Sequence, residues 1–203
     1  SLESITIPFV GESKKTASDI YQYPFGYIFG TSSYTGGVTT KQNYYGSRTS
    51  STTSSTYYIP SSLKSVTVTG GNILYGAFYN CYNLTEVHIT DLIAWVSIVY
   101  KDTSSNPLFN GAGLYLNGEL ITNLVIPEGV TCIKDHTLGG YGIRSIVIPS
   151  SVVEISDSAF HNVFSLIEII NQSDVSIEGV GVVGGFAGET RLLEIHKGPS
   201  KIQ

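Results

Sequence analysis

An acid and an imidazole lie two residues apart in Glu86-Val-His88, and a second acid follows at Asp91. Because alternate residues of a strand face the same side, a strand here would present Glu86 and His88 together. Such a pair serves general acid–base catalysis when both groups converge in a cleft that tunes their pKa values. In a sheet that is built from repeated strands, such a pair more often belongs to a row of solvent-exposed side chains. We therefore predict no catalytic role for it.

The run Gly179-Val-Gly181-Val-Val-Gly184 matches the G-x-G-x-x-G pattern of dinucleotide-binding turns. That site also needs a following helix, a returning strand and an acidic residue about 20 positions on. Too few residues follow Gly184 to supply them, so we interpret the run as a glycine-rich loop and predict no cofactor.

The two cysteines, Cys81 and Cys132, are too few for a disulfide framework. We predict two separate thiols, with a single bridge between them as the alternative. The four histidines, at positions 88, 136, 161 and 196, are too scattered in the sequence for a metal site.

The composition excludes several partners. Of the 203 residues only 13% are charged, Lys plus Arg total 11, and the net charge is −5. A nucleic-acid or anionic-membrane surface requires a basic stripe that this chain lacks. The most apolar run, residues 92–100, is far shorter than the roughly 20 residues of a membrane-spanning helix, so no membrane insertion is expected. The chain contains no Met, and we expect a processed or truncated product.

One short pattern recurs along the chain: an aliphatic residue, two variable residues, and then two aliphatic residues separated by one position. Copies begin at Leu2, Leu63, Leu84, Ile121 and Ile143, with weaker ones at Leu166 and Leu192. Most of them are spaced within the roughly 20–29 residues of leucine-rich repeats. Two longer intervals predict insertions at about 9–58 and 91–118.

The pattern has a direct physical meaning. In a strand, Val66 and Val68 would point inward while Thr67 points outward. A lone strand cannot bury one apolar face, but stacking the next copy about 4.8 Å away buries it and pairs the backbones. Pro8 and Pro149, which cannot donate to a ladder, stand at predicted strand ends.

A second conserved-looking element follows the strand within each unit. Val152 and Ile155 predict a short second strand, and Ala159-Phe160 predicts a 3-10 or short helical turn whose ring fills the coil. The fold class is therefore a β-rich, right-handed leucine-rich-repeat solenoid with a parallel sheet of short strands. We assign residues 1–203 to one such domain, part of a longer array.

Residues 143–160 resemble the BspA-like, or treponemal, leucine-rich repeats of bacterial surface proteins. The match includes Ile148-Pro149-Ser-Ser151-Val152 and Ala159-Phe160, and Ala77-Phe78-Tyr-Asn-Cys81 matches the end of that repeat. Thr137-Leu138 departs from the expected Ala-Phe. The resemblance implies a secreted or cell-surface protein that binds host or matrix proteins, or other cell-surface proteins.

The outward strand positions form a mixed, partly apolar row, which is typical of protein-binding surfaces. A parallel β-helix lyase would instead gather acids for a metal and a base in one groove. We therefore predict a non-enzymatic binding or adhesion module. The predicted contact residues are Thr67, Glu86, His88, Asn123, Val125, Ser145, Val147, Glu168 and His196.

The first insertion holds eight of the chain's 14 tyrosines, namely Tyr21, Tyr23, Tyr27, Tyr34, Tyr44, Tyr45, Tyr57 and Tyr58. An uncharged aromatic surface would favour a carbohydrate-binding module. The interpretation that we favour is a β-hairpin packing aromatics on the solenoid, with the Ser/Thr-rich residues 46–56 as a loop. A passive spacer is a third alternative. In the second insertion, we expect Asp91 to be an N-cap and Trp95 to lie in the core.

Overall fold

The computed structural model describes residues 1–14, 24–43, 54–70, 72–73, 76–140, 142–161, 163–177 and 194–197. Within these ranges the chain is a β-rich solenoid of about five turns with few short helices. This confirms the predicted leucine-rich-repeat architecture.

Thirteen strands and one short α-helix are present in the described residues. In chain order they are β1 (Ser4–Ile7), β2 (Gly37–Asn43), β3 (Ser54–Pro60), β4 (Ser65–Val68), β5 (Glu86–Ile89), α1 (Leu92–Val96), β6 (Gly113–Leu116), β7 (Glu119–Leu120), β8 (Asn123–Val125), β9 (Cys132–Ile133), β10 (Ser145–Ile148), β11 (Glu154–Ile155), β12 (Glu168–Asn171) and β13 (Glu194–Lys197). Single 3-10 turns span Phe25–Ile28, Thr103–Ser105 and Pro107–Asn110.

The repeat strands divide into two sheets. Sheet one has the order β1-β4-β5-β6-β7, in which the first four strands are parallel and β7 returns antiparallel to β6. Sheet two has the order β13-β12-β10-β8 and is parallel throughout. The chain passes from one sheet to the other directly after β7.

The predicted alternation places the aliphatic side chains inside. Val66 and Ile146 are fully buried, as are the rings of Phe78 and Phe160. All of these belong to one hydrophobic cluster that runs through both sheets. Burial of this apolar stripe, which no single coil could achieve, is the main favourable term that holds the repeats together.

The predicted second strands are short but real. The strands β9 and β11 form a separate parallel pair in which Glu154 is opposite Cys132 and Ile155 is opposite Ile133. An isolated parallel bridge between Ile73 and Tyr100 lies at the equivalent position of an earlier coil.

The first insertion contains an antiparallel hairpin, formed by β2 and β3. Tyr57 and Ile59 of β3 are buried, as the hairpin interpretation requires. The strand β3 begins at Ser54, so the end of the Ser/Thr-rich stretch that we predicted to be a loop is extended and paired. The physical reason is cross-strand pairing with Lys41, Gln42 and Asn43, which local composition does not reveal.

Residues 91–118 pack closely into the solenoid. As expected, Asp91 caps α1 by accepting a hydrogen bond from the Ala94 amide at 3.0 Å, and Trp95 is buried. Further on, the Asn106 amide Nδ2 donates to the His136 carbonyl at 2.8 Å. The Asn110 amide Nδ2 donates to the Phe78 carbonyl at 3.0 Å. This segment therefore joins the coil before it to the coil after it.

Cys81 and Cys132 are both free thiols, the first buried and the second half-buried, which confirms the prediction of two separate thiols. None of the helices among the described residues has the length and apolar character that a bilayer crossing requires. The Gly179–Gly184 run lies outside the described residues.

Candidate binding face

Sheet one turns alternate side chains away from the core, and these form two rows across its strands. In one row, Ser65 is paired with Glu86, and Glu86 with Gly113. In the other row, His88 is paired with Tyr115. Thr67 joins that second row, since its hydroxyl donates to the His88 carbonyl at 2.6 Å. Parallel stacking of coils thus aligns side chains that are more than 20 residues apart in sequence.

His88 is held on both sides. Its Nε2 lies 2.9 Å from Glu86 Oε2, and its ring stacks on Tyr115 with centroids 4.7 Å apart and an interplanar angle of 16°. Both members of the His–Glu pair are more than one-third exposed, so solvent screens their attraction. The arrangement matters because it orients the side chains of Glu86, His88 and Tyr115 on one face.

Gly113 makes room for the Tyr115 ring. A Cβ atom at Gly113 would lie 2.8 Å from Leu120 Cδ1 and 3.3 Å from Tyr115 Cε2. Leu120 is the antiparallel partner of Tyr115. Because Gly113 has no side chain, the side chains of Tyr115 and Leu120 can lie over the place that Gly113 occupies in the first row.

A groove of about 400 Å³ lies beside these rows, over β1, β4 and β5. Its lining includes Glu3 and Lys64 at the strand starts, together with Thr67, Glu86 and His88. The groove combines hydroxyl, imidazole, carboxylate and ammonium groups, which supply hydrogen-bond donors and acceptors to a partner.

Sheet two continues the same pattern with a more apolar row. Val125 is paired with Val147, Val147 with Ile170, and Ile170 with His196. Val125 is 59% exposed, and Val147 and Ile170 are half-buried. These outward aliphatic side chains form a continuous ribbon three strands wide.

A polar row runs alongside this ribbon. Asn123 is paired with Ser145, and Ser145 with Glu168. The Ser145 hydroxyl donates to Asn123 Oδ1 at 2.9 Å, and His196 Nε2 lies 3.4 Å from Glu168 Oε1. A His–Glu pair therefore occurs on each sheet.

All nine predicted contact residues lie at outward strand positions, in two groups rather than one strip. Thr67, Glu86 and His88 belong to sheet one. The other six belong to sheet two: Asn123, Val125, Ser145, Val147, Glu168 and His196. The strands β6 and β7 form the edge of sheet one from which the chain enters sheet two.

Sequence reasoning missed Tyr115, which extends the His88 row. The signal was present in Gly113-Leu-Tyr-Leu116, because two aliphatic residues that alternate around a tyrosine place that tyrosine outward. Leu114 is indeed buried.

The tyrosines of the first insertion have several environments. Tyr57 is buried, Tyr27 and Tyr58 are half-buried, and Tyr34 is exposed, with its hydroxyl donating to the Tyr58 carbonyl at 2.9 Å. Tyr21, Tyr23, Tyr44 and Tyr45 lie outside the described residues.

The thiols are held in their protonated form. Burial raises the pKa of Cys81 far above its usual range. Burial, followed by the nearby Glu154 carboxylate, raises the pKa of Cys132. A reactive cysteine needs a lowered pKa, so neither environment activates a nucleophile. Within the described ranges, no group of three His, Cys, Asp or Glu side chains is arranged to hold a metal ion.

Comparison with known families identifies the repeats. The sequence model described as "BspA type Leucine rich repeat region" matches the chain with six copies over residues 12–101 and 111–195. Neither the curated proteins nor the solved structures contain a significant match to this chain. Repeats of this class generally mediate protein–protein interaction, their solenoids are typically non-catalytic scaffolds, and the family is typically surface-associated in bacteria. With the matched copies covering most of its length and the strands stacked as parallel coils, the chain belongs to the BspA-type leucine-rich-repeat family.

Proposed function

We propose that this chain is a non-enzymatic adhesion module outside a bacterial cell, and that its outward strand face binds a host, matrix or other cell-surface protein. One observation carries the proposal. The two sheets present registered outward rows, with an aromatic pair on one sheet and an aliphatic ribbon on the other.

The composition of this face supports protein binding. Protein interfaces combine an apolar or aromatic centre with a polar rim, and charged groups are depleted from the centre. Here, Val125, Val147 and Ile170 supply an apolar centre, and Asn123 and Ser145 supply a polar border.

The rigidity of the face also favours binding. Tyr115 is stacked on His88, and His88 is hydrogen-bonded to Glu86. Side chains that are already oriented lose less rotamer entropy when a partner docks, so more of the contact energy appears as affinity. Tyrosine also offers a large contact area through only two side-chain torsions.

The charge of the face indicates the kind of partner. Glu3 and Glu86 line the groove of sheet one with a single lysine, Lys64, and Glu168 borders the ribbon of sheet two. The whole chain is also acidic, with a net charge of −5. Complementarity therefore favours a partner with a neutral or basic contact surface.

The test is solid-phase binding of the purified chain to a panel of immobilised extracellular-matrix proteins. The double variant His88→Ala/Val147→Asp alters one row on each sheet. We expect it to weaken saturable binding at least about tenfold, with little change in Tm, because both side chains lie on the solvent side of their strands.

Val153→Asp is the matched control. Val153 is 75% exposed and lies outside the strand face, so this variant adds the same charge elsewhere. Binding that survives the double variant, or that Val153→Asp weakens equally, contradicts the strand face as the contact surface. Binding to none of the panel leaves the spacer alternative.

A further inference from the structure

We propose that a second binding site, for a sugar, lies where the β2–β3 hairpin meets the turn of residues 77–82. A groove of about 470 Å³ opens there, within the roughly 300–1,000 Å³ of small-ligand sites. It is lined by Thr39, Thr40, Lys41, Thr56, Asn80 and Tyr82. None of these residues belongs to the outward rows of the two sheets.

Tyr82 provides the aromatic platform. Its side chain is 71% exposed, the largest exposure of any aromatic residue in the described part of the chain. Its hydroxyl donates to Asn80 Oδ1 at 2.8 Å, which restrains the ring at the groove. An aromatic face is electron-rich, so the polarised C–H groups of a sugar ring pack on it favourably.

The polar lining matches the hydroxyl groups of a sugar. Within the described part of the chain, the side chains of Thr39, Lys41 and Thr56 make no hydrogen bond or ion pair, and Asn80 uses only Oδ1 and its backbone carbonyl. The described residues that line the groove beside Tyr82 therefore carry two hydroxyls, an amide and an ammonium group that are available to a ligand. An apolar peptide side chain would leave most of these groups unpaired when it displaced their water.

Lys41 narrows the class of sugar. Among the described residues that line the groove, it is the only ionisable side chain apart from the Tyr82 phenol. A cation without a carboxylate partner favours a ligand that carries an acidic group. The chemistry thus points to a sugar with a carboxylate or another anionic substituent.

Both walls of the groove are fixed before any ligand binds. The Thr40 hydroxyl donates to the Asn80 carbonyl at 3.0 Å and approaches the Tyr79 carbonyl at 3.3 Å. Gln42, which is fully buried, accepts from the Gly26 amide at 2.7 Å and donates to Cys81 Sγ at 2.7 Å. These contacts join the hairpin to the turn, so little ordering is needed when a ligand enters.

The experiment is a glycan array that displays neutral hexoses and N-acetylhexosamines beside uronic-acid- and sialic-acid-terminated oligosaccharides. The chain is presented as a multivalent complex, because avidity raises the weak affinity of an open groove to a measurable level. Wild type is compared with Tyr82→Ala and Lys41→Gln, and Tyr115→Ala is the control that alters only the proposed protein-binding face.

We expect saturable binding to acidic glycans that Tyr82→Ala reduces at least about tenfold and Tyr115→Ala leaves unchanged. We expect Lys41→Gln to lower the preference for acidic over neutral glycans. Both side chains are exposed, so circular dichroism and Tm should show folded variants. Three outcomes would each overturn the proposal: the wild type binds no glycan, Tyr82→Ala binds glycans as well as the wild type does, or Tyr82→Ala loses binding to a matrix protein. The third outcome would show that the groove contacts a protein partner instead of a sugar.

Discussion

The imidazole of His88 and the phenol of Tyr115 lie nearly parallel, with centroids 4.7 Å apart, on neighbouring strands of sheet one. The stack exists because β5 and β6 are in parallel register, which places the two residues side by side. It gives the proposed binding face a rigid aromatic centre next to the groove that His88 and Glu86 line.

Tyr115→Ala should lower the affinity for a matrix-protein partner about tenfold, because it removes the aromatic contact and frees the His88 ring. Surface plasmon resonance with the partner from the panel measures this effect. Tyr115→Phe keeps the ring and should bind like wild type. Equal loss in both variants would mean that the hydroxyl rather than the stacked ring makes the contact.

Phe160→Ala should lower the free energy of unfolding by ~3–5 kcal/mol, because the fully buried ring fills the interior of its coil. Urea unfolding followed by circular dichroism measures the change. Phe164→Ala is the matched control, since that ring is 37% exposed and should cost much less. Similar losses at the two positions would contradict the packing role assigned to Phe160.

Gln42→Ala should lower the free energy of unfolding by about 1–3 kcal/mol, because the buried Gly26 amide loses its acceptor. It should also speed the alkylation of Cys81, because this buried thiol reacts only when the hairpin opens, and the hairpin opens more often without the Gln42–Cys81 contact. This gain in access outweighs the loss of the hydrogen bond that lowers the pKa of Cys81. Thermal unfolding and mass spectrometry after iodoacetamide treatment check both effects. Thr39→Ala, an exposed change on the same strand, should alter neither. Unchanged Cys81 labelling in Gln42→Ala would show that the hairpin docks without this contact.

In the native protein, alkylation at pH 8 should modify Cys132 and leave Cys81 protected, because Cys132 is half-buried and Cys81 is buried. Burial and then Glu154 raise the pKa of Cys132, so Glu154→Gln should lower that pKa. A lower pKa means more thiolate at pH 8 and faster labelling, because the thiolate is the nucleophile. Mass spectrometry over a series of pH values measures both rates.

Glu128→Gln is the charge control for this experiment, because Glu128 is not among the causes of the shift at Cys132. Slower labelling in Glu154→Gln, or the same acceleration in Glu128→Gln, would contradict the assigned electrostatic effect.

Much of the fold follows from the sequence because its main signal is local. Alternation with a period of two decides which face of a strand is apolar, so Val66 and Ile146 could be assigned to the core one segment at a time. Phe160 could be assigned to the core from the Ala159-Phe160 turn. The same alternation places all nine predicted contact residues on the outward side. The ends of β1 and β10 could also be predicted locally, from Pro8 and Pro149.

The rest depends on contacts between distant segments. The His88–Tyr115 stack joins residues 27 positions apart, and the Gln42–Cys81 hydrogen bond joins residues 39 positions apart. The parallel strand pairs of the two sheets join residues from 21 positions apart, as in Ser65–Glu86, to 61 positions apart, as in Ser4–Ser65. Residue types and spacing determined that this chain stacks short strands into a leucine-rich-repeat solenoid with a mixed outer face. Only the tertiary structure decided which outer residues are neighbours, because the strand register is set by how each coil packs on the one before it.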